Sequence, residues 1–215
     1  MRFKSRGNLE DIDRAIAMHR EALALRQPPH RDRDASLNDL AAALQMRAEV
    51  RMPSASDLDE IIQLQREALS FRPAPHPDRG NGLSNLANSF HCRFGLWGSG
   101  DDIDEAIELY RQALLLYPPS RPGRESYLSN LANALQTRFD QRGHTPDITE
   151  SIQLLRDALV LVPTSPAALT NLSIALRSRF EQQRNPVDMD ESVQLLERAL
   201  PLVPRTPRGS QRCPQ

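Results

Sequence analysis

Apolar and small residues recur every three or four positions in five stretches that align without a gap: DIDRAIAMHREALAL from Asp11, DLDEIIQLQREALSF from Asp57, DIDEAIELYRQALLL from Asp102, DITESIQLLRDALVL from Asp147 and DMDESVQLLERALPL from Asp188. A second family alternates with them: LNDLAAAL from Leu37, LSNLANSF from Leu83, LSNLANAL from Leu128 and LTNLSIAL from Leu169. In the third copy of the first family, Ile103, Ala106, Ile107, Tyr110, Ala113, Leu114 and Tyr117 trace one face of a 3.6-residue helix. Leu109 and Leu116 form a second stripe off that face, as a helix packed on two sides requires. Asp57/Glu60, Asp102/Glu105, Asp147/Glu150 and Asp188/Glu191 predict capping boxes at the helix starts, with Arg14 departing from the pattern in the first copy. Pro28, Pro73, Pro118, Pro163 and Pro204 predict the stops, and Pro201 predicts fraying near Leu200. Neither helix of a pair can bury both stripes alone, so the pairs must stack. The expectation is an all-α, right-handed superhelical solenoid of antiparallel helix pairs, with about nine helices and no strand pattern.

The spacing between first-family copies is 46, 45, 45 and then 41 residues. A fixed period of this size marks a repeat architecture.

Composition narrows the function classes. The 215 residues carry a formal net charge of −1, and Lys4 is the single lysine among the cations. The cationic excess sits at the two ends (Arg2, Lys4, Arg6; Arg205, Arg208, Arg212), leaving the repeats between them net acidic. This balance argues against nucleic-acid binding, whose electrostatic footprint is basic. No apolar run approaches the ~18–20 residues of a spanning helix, so no membrane role is expected. Cys92 and Cys213 do not make a disulfide framework, and MRFKSRGNLEDID lacks the apolar core of a signal peptide. The expected compartment is reducing and intracellular, with the cytoplasm as default.

The repeated residues resemble the tetratricopeptide repeat (TPR) family. Its A-x-x-x-Y/F-x-x-A-L-x-L-x-P helix is matched by Ala106, Tyr110, Ala113, Leu114, Leu116 and Pro118. The other copies keep Ala22, Ala68, Ala158 and Ala199 but carry His19, Gln65, Leu155 and Leu196 at the aromatic place. The family's preceding helix, N-L-G/A-N, is matched by Asn85–Asn88 and Asn130–Asn133, where a small residue lets helix backbones approach. The family unit is about 34 residues; the longer units here resemble arrays of fungal proteins, often placed ahead of CHAT peptidase domains, and kinesin-light-chain-type arrays. The expected organisation is a remnant of a preceding helix or a disordered segment at 1–8, a TPR-like solenoid at 9–203 with units near 9–50, 56–95, 101–141, 147–182 and 187–203, and a disordered tail at 204–215. Arg2–Gly7 aligns with Arg138–Gly143, the tail of a second-family helix, so the chain is expected to be a fragment of a longer array.

Within an array, a residue that recurs at one phase in every copy is most simply scaffold, and one that varies is a candidate for binding. Arg2-Phe3, Arg93-Phe94, Arg138-Phe139 and Arg179-Phe180 recur, and predict packing and helix-end roles. His91-Cys92 are neighbours on a helix and diverge by about 100°, so they form neither a nucleophile–base pair nor a metal pair. His19, His30, His76 and His144 are scattered, and no metal, cofactor or small-molecule substrate is expected. GSG at 98–100 lacks the residues of a phosphate loop. The resemblance implies one known peptide site, a clamp for a terminal carboxylate: Asn88 and Asn130 match its asparagines, but Ala167 and Asn171 stand where its cations belong.

The concave face instead carries mostly uncharged polar side chains, and Asn85, Asn88, His91, Asn130, Asn133, Gln136 and Arg177 are the candidate partner-binding residues. The expected function is a non-catalytic scaffold that binds a peptide or helix of a protein partner. The alternative is the regulatory repeat portion of a larger fungal enzyme, such as a CHAT-type peptidase.

Overall fold

The computed structural model describes residues 4–202; the Arg2-Phe3 pair, Pro204, Cys213 and the expected tail at 204–215 lie outside the described residues. Each recurring apolar stretch forms a helix. The order is α1 (Lys4–Leu25), α2 (Arg33–Val50), α3 (Ala55–Ser70), α4 (Arg79–Trp97), α5 (Gly100–Leu115), α6 (Arg124–Arg142), α7 (Thr145–Leu161), α8 (Pro166–Gln183) and α9 (Pro186–Ala199). A 3₁₀ turn, Leu200–Leu202, follows α9 where Pro201 interrupts the α-helical ladder. Odd-numbered helices carry the first family and even-numbered ones the second. α1 runs unbroken from Lys4 through the first-family stretch to Leu25.

The helix starts differ from the sequence expectation by one turn. Asp57, Asp102, Asp147 and Asp188 are not N-caps; the caps are Ser54, Ser99, His144 and Asn185, three residues earlier. Ser54 closes a capping box with Asp57: the Asp57 N–H donates to Ser54 Oγ at 3.2 Å and the Ser54 N–H to Asp57 Oδ2 at 2.9 Å. Asn185 Oδ1 accepts from the Val187 N–H at 3.2 Å. The physical reason for the displacement is that the recurring aspartates have another partner, described below.

Three second-family helices end alike. Gly98, Gly143 and Arg184 adopt the left-handed conformation (φ 72°, 68° and 58°), and their N–H groups donate to the carbonyls of Phe94, Phe139 and Phe180 at 2.7 Å. The two connectors after α1 and α3 also share one design. Arg33 Nη1 donates to the Arg26 carbonyl, and Arg79 Nη1 to the Arg72 carbonyl, each at 2.8 Å. Within the same connectors His30 and His76 accept from the N–H groups of Asp32 and Asp78.

The chain divides into two compact units, one ending at Arg121 and the other beginning at Pro122. In the first, α2 packs along α3 and α4 along α5, while α1 packs on α2 and α3 on α4. Ile12, Ile16, Leu40, Leu44, Leu58 and Ile61 form a core cluster there. In the second unit α6 packs along α7 and α8 along α9, with α7 on α8. Its core joins Phe139, Ile148, Ile152, Leu155, Leu169, Leu172, Leu176 and Leu195. The small residues of the repeats are enclosed: Ala87, Ala106, Ala113, Ala132 and Ala158 have no exposed surface. Within each unit the apolar faces are thus covered by neighbouring helices, as stacking demands.

Candidate interaction face and the ion pairs beneath it

The second-family helices supply the candidate face because their neighbours of the same family lie beside them. In the first unit, Gln45 on α2 donates to Ser89 Oγ on α4 at 3.2 Å. In the second, Gln136 on α6 reaches Ser178 Oγ on α8 at 3.5 Å. Asn85, Asn88 and His91 stand on α4 in the first unit; Asn130, Asn133 and Gln136 on α6 and Arg177 on α8 belong to the second.

Their surroundings differ. Asn85, Asn88 and Arg177 are exposed, His91, Asn130 and Asn133 are half-buried, and Gln136 is buried. Asn88 Oδ1 accepts from the Tyr110 hydroxyl at 2.5 Å, so one end of that amide braces α5 and the other remains at the surface. Burial holds the Tyr110 phenol well above its ordinary range, which keeps it a neutral donor. Burial also lowers the His91 pKa, favouring the neutral imidazole at physiological pH. Arg177 lies 3.9 Å from Glu181 on its own helix. Cys92 is exposed, and partial desolvation raises its thiol pKa. Among the described residues, no group of three or more His, Cys, Asp or Glu side chains is placed to hold a metal ion.

Within each unit a repeated ion pair, whose arginines the sequence assigns to packing and helix ends, joins a second-family helix to the helix that follows it. Arg93 binds Asp102 through Nε and Nη2 at 2.8 and 2.5 Å. Arg138 binds Asp147 at 2.8 and 2.7 Å, and Arg179 binds Asp188 at 2.8 and 2.6 Å, in the same two-pronged geometry. In the first copy Arg47 Nη2 reaches Asp57 at 2.8 Å. The aspartates are nearly enclosed, with side chains 6%, 4% and 2% exposed at Asp102, Asp147 and Asp188, so each fork ties a second-family helix to the start of the next helix away from water.

The electrostatics follow. Burial alone would raise the Asp147 pKa, but hydrogen bonds from Arg138 and His144 outweigh it and hold the carboxyl below its ordinary value. At Asp57 the Ser54 N–H lowers the pKa, against burial and with help from the Ser54 hydroxyl, Arg47 and Arg51. The sequence signal was the constant spacing of nine residues from Arg to Asp at 93/102, 138/147 and 179/188, which the capping interpretation concealed. The recurring phenylalanines pack as expected at Phe94 and Phe139, both buried, while Phe180 is half-buried.

Known proteins bear on the fold. No family model matches the sequence, and no curated protein matches it. Solved structures do. The nearly identical TPR-like repeats of a Podosopora anserina protein assigned to the kinesin light chains superpose with a TM-score of 0.65 at 18% identity, covering 92% of this chain and 90% of that one. BtubC (BKLC) from P. vanneervenii gives 0.63 at 20% identity, over 92% of this chain and 76% of the other. Residues 1–338 of the assembly chaperone of RpL4 give 0.56 at 19% identity, over 96% and 74%. At such identities the likeness defines the fold: an all-α, TPR-like solenoid of helix pairs.

Proposed function

We propose that the chain is a non-catalytic scaffold that holds a peptide or helix of a protein partner against its second-family helices, with the cytoplasm as its compartment. The contact residues are Asn85, Asn88 and His91 on α4, Asn130, Asn133 and Gln136 on α6, and Arg177 on α8. One observation carries this reading. The recurring arginines and aspartates, Arg93/Asp102, Arg138/Asp147 and Arg179/Asp188, are spent in pairs inside the fold, whereas Asn85 and Asn88 stand exposed and Asn130 and Asn133 half-buried on the second-family helices. Amide side chains both donate and accept, which suits the exposed backbone of an extended partner. Two features lend support: the fold is shared with an assembly chaperone, a protein that acts on another protein, and no described helix is long and apolar enough to cross a membrane.

The test is affinity capture with mass spectrometry, comparing the native chain with an Asn85→Ala/Asn130→Ala/Asn133→Ala variant. Among the described residues these three amides have no side-chain hydrogen bond of the Asn88 kind. The same partner, recovered by the native chain and lost by a variant with unchanged melting temperature, is the expected result. Equal recovery by both would reject the assignment.

A further inference from the structure

The repeated arginine binds more than one carboxylate in the early copies. Arg47 Nη1 faces Asp13 Oδ1 at 3.4 Å on the preceding first-family helix, in addition to Asp57. Arg93 Nη1 likewise donates to Asp59 Oδ1 at 2.6 Å, while its other two arms hold Asp102. Asp13 and Asp59 occupy one register position, two residues after the first aspartate of their helices. At that position α7 carries Thr149. Thr149 turns its hydroxyl back to the Thr145 carbonyl at 3.0 Å. Arg179 Nε and Nη2 hold Asp188; Nη1 has no hydrogen-bond partner among the described residues, and Glu191 acts on the guanidinium only as a nearby charge.

The missing carboxylate leaves room. A cleft of about 710 Å³ contains both Thr149 and Arg179, and Pro146, Ile152, Gln153 and Arg156 complete most of its wall. Three other charged groups belong to this neighbourhood: Glu150 lines the cleft, and Arg156 is held by Glu191 at 2.8 Å. The earlier copy shows that an adjacent glutamate does not forbid a carboxylate here, since Asp59 binds Arg93 with Glu60 beside it in sequence.

We infer that the cleft between Thr149 and Arg179 is a binding site for an aspartate or glutamate side chain of a protein partner, which supplies to Arg179 Nη1 the carboxylate that Asp59 supplies to Arg93. A single charge-assisted hydrogen bond at a partly solvated arginine holds a free small acid weakly. The apolar walls at Pro146 and Ile152 therefore favour a carboxylate embedded in a peptide with apolar neighbours. The partner class rests on the scaffold reading above, but the site lies on α7 and α8 beside an ion pair, and a peptide titration reads it without any captured partner.

The experiment follows the Arg Nε resonances of the full chain by ¹H–¹⁵N NMR during titration with acetyl-Leu-Asp-Leu-amide. Acetyl-Leu-Asn-Leu-amide and sodium acetate serve as comparisons. The Arg179 signal should shift saturably with the aspartyl peptide, with at least fivefold weaker affinity for the asparaginyl peptide and for acetate, and Arg93 should stay still. Thr149→Asp should abolish the shift and raise the melting temperature by a few degrees, because the variant rebuilds the bridge seen at Arg93. Equal responses at Arg93 and Arg179, no saturable shift, acetate binding as tightly as the peptide, or a Thr149→Asp variant that melts lower and still responds would each overturn the assignment.

Discussion

Gln65 is the residue that fits its place least well. It occupies the aromatic position filled by Tyr110 in the next copy, is 5% exposed, and its Oε1 has no hydrogen-bond partner. Tyr110 finds Asn88 on the preceding helix; the residue at the matching place before Gln65 is Ala42, which offers no side-chain donor. An unsatisfied buried acceptor costs about 1–3 kcal/mol. Gln65→Leu should therefore stabilise the chain by about 1 kcal/mol in urea unfolding, and a loss of stability would show that the amide has a partner in solution. Gly80 gives the opposite case. A Cβ there would meet Tyr117 Cε2 at 2.5 Å, and that ring is pinned by its hydroxyl donating to Asn81 at 2.7 Å and by Arg121 stacked 4.3 Å from its centre. Gly80→Ala should lose about 1 kcal/mol, because overpacking outweighs the helix propensity gained; a more stable variant would mean that the ring yields.

At the scale of the element, the arginine fork decides how one helix follows another. Replacing Asp147 by Asn removes the charge that Arg138 and His144 face in a site 4% exposed. The expected cost is about 2 kcal/mol at neutral pH, the size of a hydrogen bond to a charged group. The pH dependence has a definite sign. Asp57 and Asp147 have pKa values below their unfolded ones, so their contribution is complete above the ordinary carboxylate pKa of about 3.9 and is lost as pH falls through the folded values. Asp140 acts the other way: burial, reinforced by Glu181 and opposed by Ser178, raises its pKa, so its contribution is present at low pH and lost as pH rises through that value. Melting curves between pH 7 and 3 should show Asp147→Asn with a flatter acid limb than the native chain. Parallel limbs would mean that the fork does not carry the titration.

Sequence legibility also divides at this scale. The nine described helices and their faces could be read from apolar spacing, because each stripe buries against the neighbouring helix whatever the detail of its ends. The starts could not, since the caps follow no single rule: Ser54 and Asn185 accept from the first N–H groups through different side chains, whereas Ser99 and His144 make no side-chain cap hydrogen bond. The recurring aspartate looked like that cap while its carboxylate was already engaged by an arginine from the previous helix. The candidate face was legible as a set of positions on α4, α6 and α8, but the bond from Tyr110 to Asn88 was not, because it joins residues 22 apart.

For the whole molecule, arginines and aspartates repeated at one phase hold helices together, and the proposed reading gives partner contact to positions on the second-family helices that differ between copies. With contacts made by amides more than by charges, raising salt from 50 to 300 mM should weaken partner binding less than about threefold apart from any share carried by Arg179; a steep salt slope would assign the binding to charge. The most direct measurement is hydrogen–deuterium exchange of the chain with and without its captured partner. The account predicts new protection concentrated on α4, α6 and α8, extending onto α7 at the Thr149 cleft; protection confined to α3 and α5 would contradict it.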